Sequence, residues 1–487
     1  MMDFFFASWP RRLASGLLVY AAGLVGILLL TWKLLPDQPW DTEALIMRLF
    51  ILPLLLAIAT LSLGTACTTR GSVTPGPAEG AAAPPAEPFR AQVVGVQWMN
   101  PLVRRDYPTE WQLLWVQGLA QPNKNDYQVK TEPEVFTRVG FVASIVSNIY
   151  QTRPLDEIFE RYAAKIIRPF GTPYALYGTY FYTVQPKNPK HWRELAGVRV
   201  ELAIPDTPRL PPAQAAEFVR TALRDEFSFY DVPILSTADI PADVRLTVGG
   251  ASAGFHSLAA AMDYLEVHPD KSVWVMNWDS PDFPDDKSIA ENCTLLILAG
   301  PRLDTRREPL AWIARPAVRS VADAEPAEGR SRAAQAWHDA LRVAAEQAKV
   351  EPAHVGRVIH DAGSGAAAGE RIGRLAGAMS ETLPELDFLK DGFNTAKLLG
   401  DMGAGSAVTN LALAVAWTHQ KGHPVLVAGT TEPDRATAVV VTPPARARRV
   451  DPTKDWFRAR GERHAYLPWW GLRKDVKWEG YMQGYSQ

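Results

Sequence analysis

The sequence predicts a layered α/β body preceded by a two-helix transmembrane hairpin. Two long uncharged apolar runs within the first seventy residues predict the hairpin. From Phe89 onward, short β-branched runs alternate with stretches of helical spacing, and this alternation predicts the α/β body. The mean hydropathy of the whole chain is −0.11, which excludes a multi-span transporter.

Each apolar run is long enough to cross a bilayer as a helix. Residues 13–32 and 49–69 carry no charge, and about 20 residues at about 1.5 Å each span a hydrocarbon core of about 30 Å. Arg11, Arg12 and Arg70 flank the hairpin on its outer sides. By the positive-inside rule, both termini and everything after the hairpin are predicted to face the cytoplasm.

A second interpretation of this segment stays open. Met47, a leucine-rich run and Leu63-Gly64-Thr65-Ala66-Cys67 resemble a bacterial lipoprotein signal with an internal start. Translation would then begin at Met47 rather than Met1, Cys67 would carry a lipid, and the soluble part would be exported. Gly64 stands where such signals prefer a larger aliphatic residue.

The hairpin is followed by a linker. Residues 71–88 read GSVTPGPAEGAAAPPAEP, and thirteen of these eighteen residues are Gly, Pro or Ala. That composition cannot build a core and predicts a semi-extended tether. Residues 89–487 remain for the folded body and its C-terminal tail.

Composition excludes several classes of function. The 51 basic and 53 acidic side chains give a net charge of −2, whereas nucleic-acid binding normally requires a basic excess. Two cysteines, Cys67 and Cys293, are too few for a disulfide framework or a zinc finger. No H-E-x-x-H spacing and no Walker-type phosphate loop occurs, so we predict no metal site and no cofactor.

Within the body, strands and helices are predicted in alternation. The predicted strands are 93–98, 198–204, 244–248, 271–278, 293–298, 354–360, 425–428 and 436–441, the last two forming a closing hairpin. The predicted helices are 213–227, 255–265, 331–349, 370–383 and 406–419. Residues 100–190 are dense in Tyr, Trp and Pro and receive no firm assignment.

The segment Gly250-Ala251-Ser252-Ala253-Gly254 lies between a predicted strand and a predicted helix. This is the G-x-S-x-G pattern in the context in which serine hydrolases hold their nucleophile. The following helix N-terminus would favour negative charge at the Ser252 hydroxyl. A hydrolase would also need Asp279 and His360, each of which ends a later strand. No His-Gly-Gly segment for an oxyanion hole precedes the pattern, and a tight turn that requires small residues is the alternative explanation.

Two further glycine-rich segments follow predicted elements. His360-Asp361-Ala362-Gly363-Ser364-Gly365 follows a strand, and the segment from Lys397 to Gly405 opens a helix of small residues. Glycines there permit close approach of the backbone. Neither segment defines a chemistry alone.

Taken together, these segments resemble the thiolase-like fold of β-ketoacyl synthases. In that family a nucleophilic cysteine occupies a strand–elbow–helix, where Ser252 stands in this chain. A histidine ends a strand in the second half, where His360 stands. A Lys-x-x-Gly-His-x-x-Gly-Ala segment opens a buried helix, where residues 397–404 stand, so that Lys397 matches the lysine.

The resemblance covers fragments of residues 190–442 and implies an organisation in two halves. Residues 89–300 would form the first thiolase-like half, with an irregular Trp- and Tyr-rich insertion. Residues 301–444 would form the second half, and residues 445–487 a basic aromatic tail.

The chain departs from this family at two catalytic positions. Ser252 replaces the cysteine, and a serine hydroxyl needs a base where a thiolate does not. Asp401 replaces the second histidine and puts negative charge where negative charge develops during decarboxylation. The resemblance therefore implies a degenerate fold and a pseudoenzyme in which Ser252, His360, Lys397 and Asp401 are vestigial. The alternative is a serine acyl-hydrolase or acyltransferase that uses Ser252 and His360.

The chain also resembles the type VI secretion lipase adapter family. The resemblance rests on the N-terminal apolar module, on VVGVQWMNPLVRRDYPTEWQLLWVQGL at 93–119 and on KLLGDMGAGSAVTNLALAVAW at 397–417. It implies a non-catalytic adapter at the bacterial inner membrane. Such an adapter binds a phospholipase effector in the producing cell and helps to load it on the secretion spike protein.

Two aromatic regions are predicted to contact the partner, because Trp, Tyr and Arg dominate interface hot spots. One is 93–119, and the other is the tail from Ala445, which has ten Lys or Arg against five Asp or Glu and eight interleaved aromatics. The candidate contact residues are Trp98, Arg104, Arg105, Trp111, Trp115, Trp456, Trp469 and Trp470. The alternative for the tail is that its aromatics pack back on the body.

Overall fold

The computed structural model describes only part of the chain. The described residues are 87–100, 107–122, 124, 127–134, 153–171, 195, 197–227, 241–282, 289–305, 308–446 and 468–469. The predicted spans 13–32 and 49–69, Cys67 and the linker lie outside them. Among the described residues, no helix is both long and apolar enough to cross a membrane. The chain divides into two units, Met1–Pro85 and Ala86–Gln487, and the following concerns the second.

Among the described residues, eleven strands form one mixed sheet. They are β1 (Arg90–Met99), β2 (Arg199–Ile204), β3 (Asp243–Val248), β4 (Ser272–Asp279), β5 (Asn292–Ala299), β6 (Ala311–Ala314), β7 (Ala317–Ser320), β8 (Arg357–His360), β9 (Gly392–Asn394), β10 (Val425–Gly429) and β11 (Arg435–Thr442). Their order is β3-β2-β4-β5-β1-β6-β11-β10-β8-β9, and β7 pairs with β11 beside this path.

The α-helices of the described residues connect these strands. They are α1 (Thr109–Val116), α2 (Tyr127–Thr131), α3 (Leu155–Ile167), α4 (Pro212–Phe227), α5 (Ala253–Val267), α6 (Arg332–Ala348), α7 (Ala366–Thr382), α8 (Phe388–Asp391), α9 (Thr395–Leu399) and α10 (Ser406–Lys421). Short 3-10 turns lie at Arg168–Phe170, Pro352–His354 and Gly403–Gly405. The predicted mixed α/β architecture is therefore confirmed.

The sheet repeats one pairing scheme twice. In the first half, β2 pairs in parallel with β3 and β4, β4 pairs antiparallel with β5, and β5 pairs antiparallel with β1. In the second half, β8 pairs in parallel with β9 and β10, β10 pairs antiparallel with β11, and β11 pairs antiparallel with β6. The antiparallel pair of β1 and β6 joins the two sets. Both sets thus have the same strand order and the same directions.

Both faces of the central strands are buried, which explains their continuous apolar runs. Along β4, Val273 and Val275 belong to one core cluster, whereas Trp274, Met276 and Trp278 belong to another. This alternation follows from the two-residue period of a strand. The residues of β10 alternate in the same way between the first core cluster and a third core cluster.

The core cluster shared by both halves contains α5 and α10. Residues 406–419 of α10 are all buried, so this helix has no solvent face. The two helices approach closely because small residues lie at their contact. A Cβ added at Gly254 of α5 would lie 2.9 Å from the side chains of Ala407 and Val408 of α10. This contact requires glycine and positions the segment that begins each helix.

Candidate functional site

Ser252 lies directly before α5, at the turn that follows β3. It is the N-cap residue of the helix, and its side chain is buried. Its hydroxyl donates a hydrogen bond to the carboxylate of Glu432, in the turn between β10 and β11. The acid beside Ser252 is therefore Glu432, which is not among the predicted site residues. The sequence feature that could have identified Glu432 is its position in the turn of the predicted closing hairpin.

His360 ends β8, as predicted, and is buried. Its ring stacks on Phe388 with centroids 5.2 Å apart, and its Nδ1 accepts a long hydrogen bond of 3.4 Å from the Ala362 amide. Burial lowers the pKa of His360 from 6.5 to about 4. The imidazole is therefore neutral at physiological pH, and it lies against an aromatic ring.

The turn between β10 and β11 also contacts the residue after this histidine. Asp361 is buried, and its Oδ1 accepts hydrogen bonds of 2.7 Å from both the amide and the hydroxyl of Thr430. Burial raises the pKa of Asp361, and these two hydrogen bonds oppose that effect. One turn therefore contacts both predicted segments, through Thr430 on Asp361 and through Glu432 on Ser252.

Asp279 ends β4, as predicted, but its carboxylate has structural roles. Its Oδ1 accepts a hydrogen bond from the Ser280 amide, and its Oδ2 accepts one from the Ala404 amide, each 2.8 Å long. The second bond holds the turn at 403–405 against the end of β4. Gly403 has a φ of +48°, and a Cβ there would lie 2.1 Å from the Asp279 Oδ2. Only glycine allows this approach.

Lys397 and Asp401 are both exposed. Lys397 lies in α9, and its amide donates to the side chain of Asn394, which caps that helix. Asp401 accepts a hydrogen bond of 2.9 Å from the Gly403 amide through Oδ1, and its carbonyl oxygen accepts one from Ala290. The Asp401 side chain thus stabilises the turn before α10.

A cavity of about 560 Å³ opens beside Ala251, the residue before Ser252, and contains Asp401 in its wall. Its wall comes from the segments after β2, β3 and β4 and from the turn before α10. The lining residues are Leu155, Pro205, Asp206, Thr207, Gly249, Gly250, Ala251, Asp279, Ser280, Asp282, Ile289, Arg371, Asp401, Gly403 and Thr431. Four of them are aspartates, so the wall is acidic.

A buried polar network fixes the start of α10. The Asn292 side chain donates hydrogen bonds to the Gly405 carbonyl at 2.9 Å and to the Thr409 hydroxyl at 2.7 Å. Its oxygen accepts a hydrogen bond of 2.9 Å from the Trp98 indole N–H, and Thr409 lies 2.7 Å from the Thr294 hydroxyl. These bonds tie β1 and β5 to α10 and hold the cavity wall in place.

The structure places the three predicted contact tryptophans of the first aromatic region in the core. Trp98, Trp111 and Trp115 are all buried, and their contact with a partner stays a prediction. Trp111 stacks between Tyr107, at 3.8 Å, and Trp115, at 5.2 Å. They lie in the core because β1 is a central strand and α1 packs against α10.

Trp469 of the tail is buried as well. It pairs with Val96 by two backbone hydrogen bonds of 2.8 and 2.9 Å, and its ring meets His419 edge-on at 5.0 Å. The alternative explanation, that tail aromatics pack back on the body, holds for this residue. The remaining candidates, Arg104, Arg105, Trp456 and Trp470, lie outside the described residues.

Metal ligands and cysteine reactivity can be judged for the described part of the chain. Within it, no group of three or more His, Cys, Asp or Glu could hold a metal ion. Cys293 is buried, and burial raises the pKa of its thiol. A thiol of this kind is a poor nucleophile because the thiolate form is suppressed.

The fold and the site define a mixed α/β protein of two similar halves, with a small-residue elbow and an acidic cavity. Residues 310–443 match the family model described as type VI lipase adapter protein Tla3, C-terminal. The predicted resemblance to type VI lipase adapters is thus confirmed for this segment, which is well under half of the chain. No curated protein sequence matches the chain.

Several solved structures are similar to this one, among them three ketosynthases. The ishigamide ketosynthase/chain length factor is 15% identical, with 73% of this chain and 99% of that one covered and a TM-score of 0.44. The oxazolomycin ketosynthase domain OzmH KS8 of Streptomyces albus JA3453 is 12% identical, with 77% and 100% covered and a TM-score of 0.43. The ketosynthase from module 6 of the Bacillus subtilis 168 bacillaene synthase is 12% identical, with 72% and 71% covered and a TM-score of 0.45. With TM-scores below 0.5, nothing about the chemistry of this chain follows from these likenesses.

Proposed function

We propose that this chain is a membrane-tethered, non-catalytic adapter that binds a phospholipase effector and assists its loading on the type VI secretion spike protein. The observation that carries the proposal is the match of residues 310–443 to the lipase adapter family model. These residues include β8, α10 and the β10–β11 hairpin, and therefore most of the second half. Binding and loading need surfaces rather than a working active site.

The geometry around Ser252 supports a non-catalytic role. The predicted serine chemistry uses His360 as the base that takes the proton of Ser252, whereas the Ser252 hydroxyl donates its described hydrogen bond to the Glu432 carboxylate. His360 instead stacks on Phe388 and has a pKa of about 4. A histidine whose protonated form is this unfavourable is a weak proton acceptor at neutral pH, because efficient general bases have a pKa near the working pH.

The tether rests on the sequence. Residues 13–32 and 49–69 are each long enough to span a bilayer, and we place the body on the cytoplasmic side of the inner membrane, where effectors are made. Membrane fractionation tests this part. A chain without residues 1–70 is expected in the soluble fraction, whereas Cys67→Ser remains membrane-bound. Release by Cys67→Ser and labelling of the wild type with a palmitate analogue would instead support the lipoprotein interpretation.

Co-purification tests the adapter role itself. The full-length chain, tagged and isolated from the producing cell in mild detergent, is expected to retain a phospholipase encoded beside it, and the spike protein with that lipase. Deletion of residues 310–443 does not give a usable control, because the deletion removes half of the sheet. The exposed variant Lys397→Ala and the wild type are compared instead, and equal capture is expected.

The enzyme alternative is tested on the same preparation. A fluorophosphonate probe labels serine hydrolases at the nucleophile, and we expect no label on the folded chain. Labelling that disappears in Ser252→Ala, together with no lipase capture by the wild type, would replace the adapter by an acyl-hydrolase or acyltransferase.

A further inference from the structure

We propose that Arg357 anchors a carboxylate of the partner protein, through a guanidinium that two aromatic rings hold in place and whose terminal nitrogens face the surface. The inference rests on the proposed adapter function and names one contact that holds the effector. It is drawn from the ring contacts of this side chain, from its lack of a bonded partner among the described residues and from the charge around it.

Arg357 is the first residue of β8 and lies close to the edge of the sheet. Its neighbour on β10 is Val425, and on the other side Asp391 directly precedes β9. Strand β9 ends the path of the described sheet, with β8 next to it. The position falls within residues 310–443, the segment that matches the adapter family model.

Two aromatic rings fix the guanidinium of Arg357. Its Cζ lies 5.2 Å from the ring centroid of Phe393 in β9 and 5.8 Å from that of Trp417 in α10. At separations below about 6 Å a guanidinium is attracted to the face of an aromatic ring. The Arg357 Nε is enclosed. The side chain is therefore preorganised, and a ligand that binds it has little rotamer entropy to overcome.

Among the described residues, no hydrogen bond or ion pair engages this guanidinium. The negative charge of Asp391 opposes the effect of burial, which lowers the pKa of Arg357, but the two groups form no ion pair. The Asp391 Oδ2 instead accepts a 3.1 Å hydrogen bond from the Asp387 amide. In contrast to Nε, the two terminal nitrogens of Arg357 are not enclosed, so their N–H donors are available at the surface.

The charge around Arg357 favours an anion. Lys421 is exposed and lies one helical turn after Trp417 on α10, on the same face of that helix. Arg357 and Lys421 outweigh Asp391 by one positive charge, and the neighbouring ion pair of Lys390 and Asp387 in α8 adds none. A negatively charged group is therefore attracted to this surface.

The chemistry of the side chain and its surroundings point to a carboxylate on a protein. A guanidinium binds a carboxylate through two parallel N–H donors. Leu389, two residues before Asp391, is 92% exposed and offers an apolar contact close to the cation. Arginine and aromatic side chains at such surfaces supply much of the binding energy of protein interfaces. The ligand is thus assigned to an acidic side chain or a chain end of the effector.

Binding of the purified full-length chain, in detergent, to the phospholipase encoded beside it tests the inference. Arg357→Gln is expected to weaken binding about tenfold or more, as loss of an arginine hot spot does. Arg357→Glu should weaken it further, because it repels a carboxylate, and Arg357→Lys should weaken it least, because it keeps the charge and loses the fork. The control is Arg224→Gln on α4, which packs against β3 at the other end of the sheet and should leave binding unchanged.

Chemical modification examines the same contact without a substitution, so it does not depend on the folding of a variant. Phenylglyoxal reacts with accessible guanidinium groups, and mass spectrometry identifies the modified residues. We expect Arg357 to react in the free chain and to be protected in the complex with the lipase. Arg224, whose side chain is 49% exposed, should react equally in both.

The outcomes separate this inference from the adapter function. Equal lipase binding by a folded Arg357→Gln variant, or equal modification of Arg357 in the free and the lipase-bound chain, would overturn this inference and leave the adapter function standing. Equal weakening by Arg357→Gln and Arg357→Glu would overturn the assignment to a carboxylate. If the wild type bound no lipase, the adapter function would fail and this inference with it.

Discussion

Replacement of Gly403 by alanine is predicted to destabilise the body through a contact that glycine alone permits. The residue has a φ of +48°, and the Cβ of alanine would lie 2.1 Å from the Asp279 Oδ2 and 3.2 Å from the Ile289 side chain. The turn at 403–405 must then move away from the end of β4. That movement breaks the 2.8 Å hydrogen bond from the Ala404 amide to Asp279.

Two contributions set the size of the effect. A left-handed backbone conformation costs a non-glycine residue about 1–2 kcal/mol. A buried hydrogen bond to a charged group contributes about 1.5–3 kcal/mol. We therefore expect Gly403→Ala to lower the free energy of unfolding by about 2.5–5 kcal/mol, the sum of these two estimates.

Urea denaturation followed by tryptophan fluorescence measures this loss. The matched control is Gly377→Ala, because Gly377 lies within α7 and a Cβ there would meet no atom within 4 Å. Alanine in a helix interior stabilises by about 0.5–1 kcal/mol relative to glycine. If Gly403→Ala proved as stable as Gly377→Ala, the close packing of this turn against β4 would be refuted.

Three further predictions concern buried groups. Because the folded pKa of His360, about 4, is below its usual 6.5, its protonation favours the unfolded chain, so stability is complete above pH 6.5 and falls toward pH 4. A pKa shift of this size corresponds to about 3 kcal/mol of folding free energy. As the pH falls, the free energy of unfolding of the wild type should therefore drop by that amount relative to His360→Gln, whereas the exposed His354→Gln variant should behave as the wild type. Trp111→Ala should lower the free energy of unfolding by about 3–5 kcal/mol in urea denaturation, because the ring is fully buried; a loss under 1 kcal/mol would contradict its core position. In a Cys67→Ser chain, Cys293 should react with a thiol reagent only after unfolding, because it is buried; rapid reaction of the native chain would contradict this.

The regular part of the fold could be predicted because its central strands are mostly apolar. For example, β4 and β5 are buried on both faces, and apolar residues make up most of each strand. The closing hairpin of β10 and β11 was also predicted and is confirmed. By contrast, β6 and β7 are only four residues long. So short a run has no measurable periodicity, and these strands were missed.

The site was predictable only in part, for a physical reason. The positions of Ser252, His360 and Asp401 follow from turns that require small residues, and such turns are visible in a sequence. The contact from Glu432 to Ser252 spans 180 residues, and it depends on how the β10–β11 turn lies over α5. The burial of Trp98 could not be predicted, because composition does not reveal that β1 is a central strand.

The adapter account is tested most directly by lipase delivery in cells that lack this chain. Complementation with the Ser252→Ala variant should restore delivery of the phospholipase effector to the wild-type level, because the hydroxyl has no catalytic role in the account. The variant must accumulate to the normal level and still capture the lipase. If delivery were lost under those conditions, Ser252 would act chemically and the non-catalytic adapter would be contradicted.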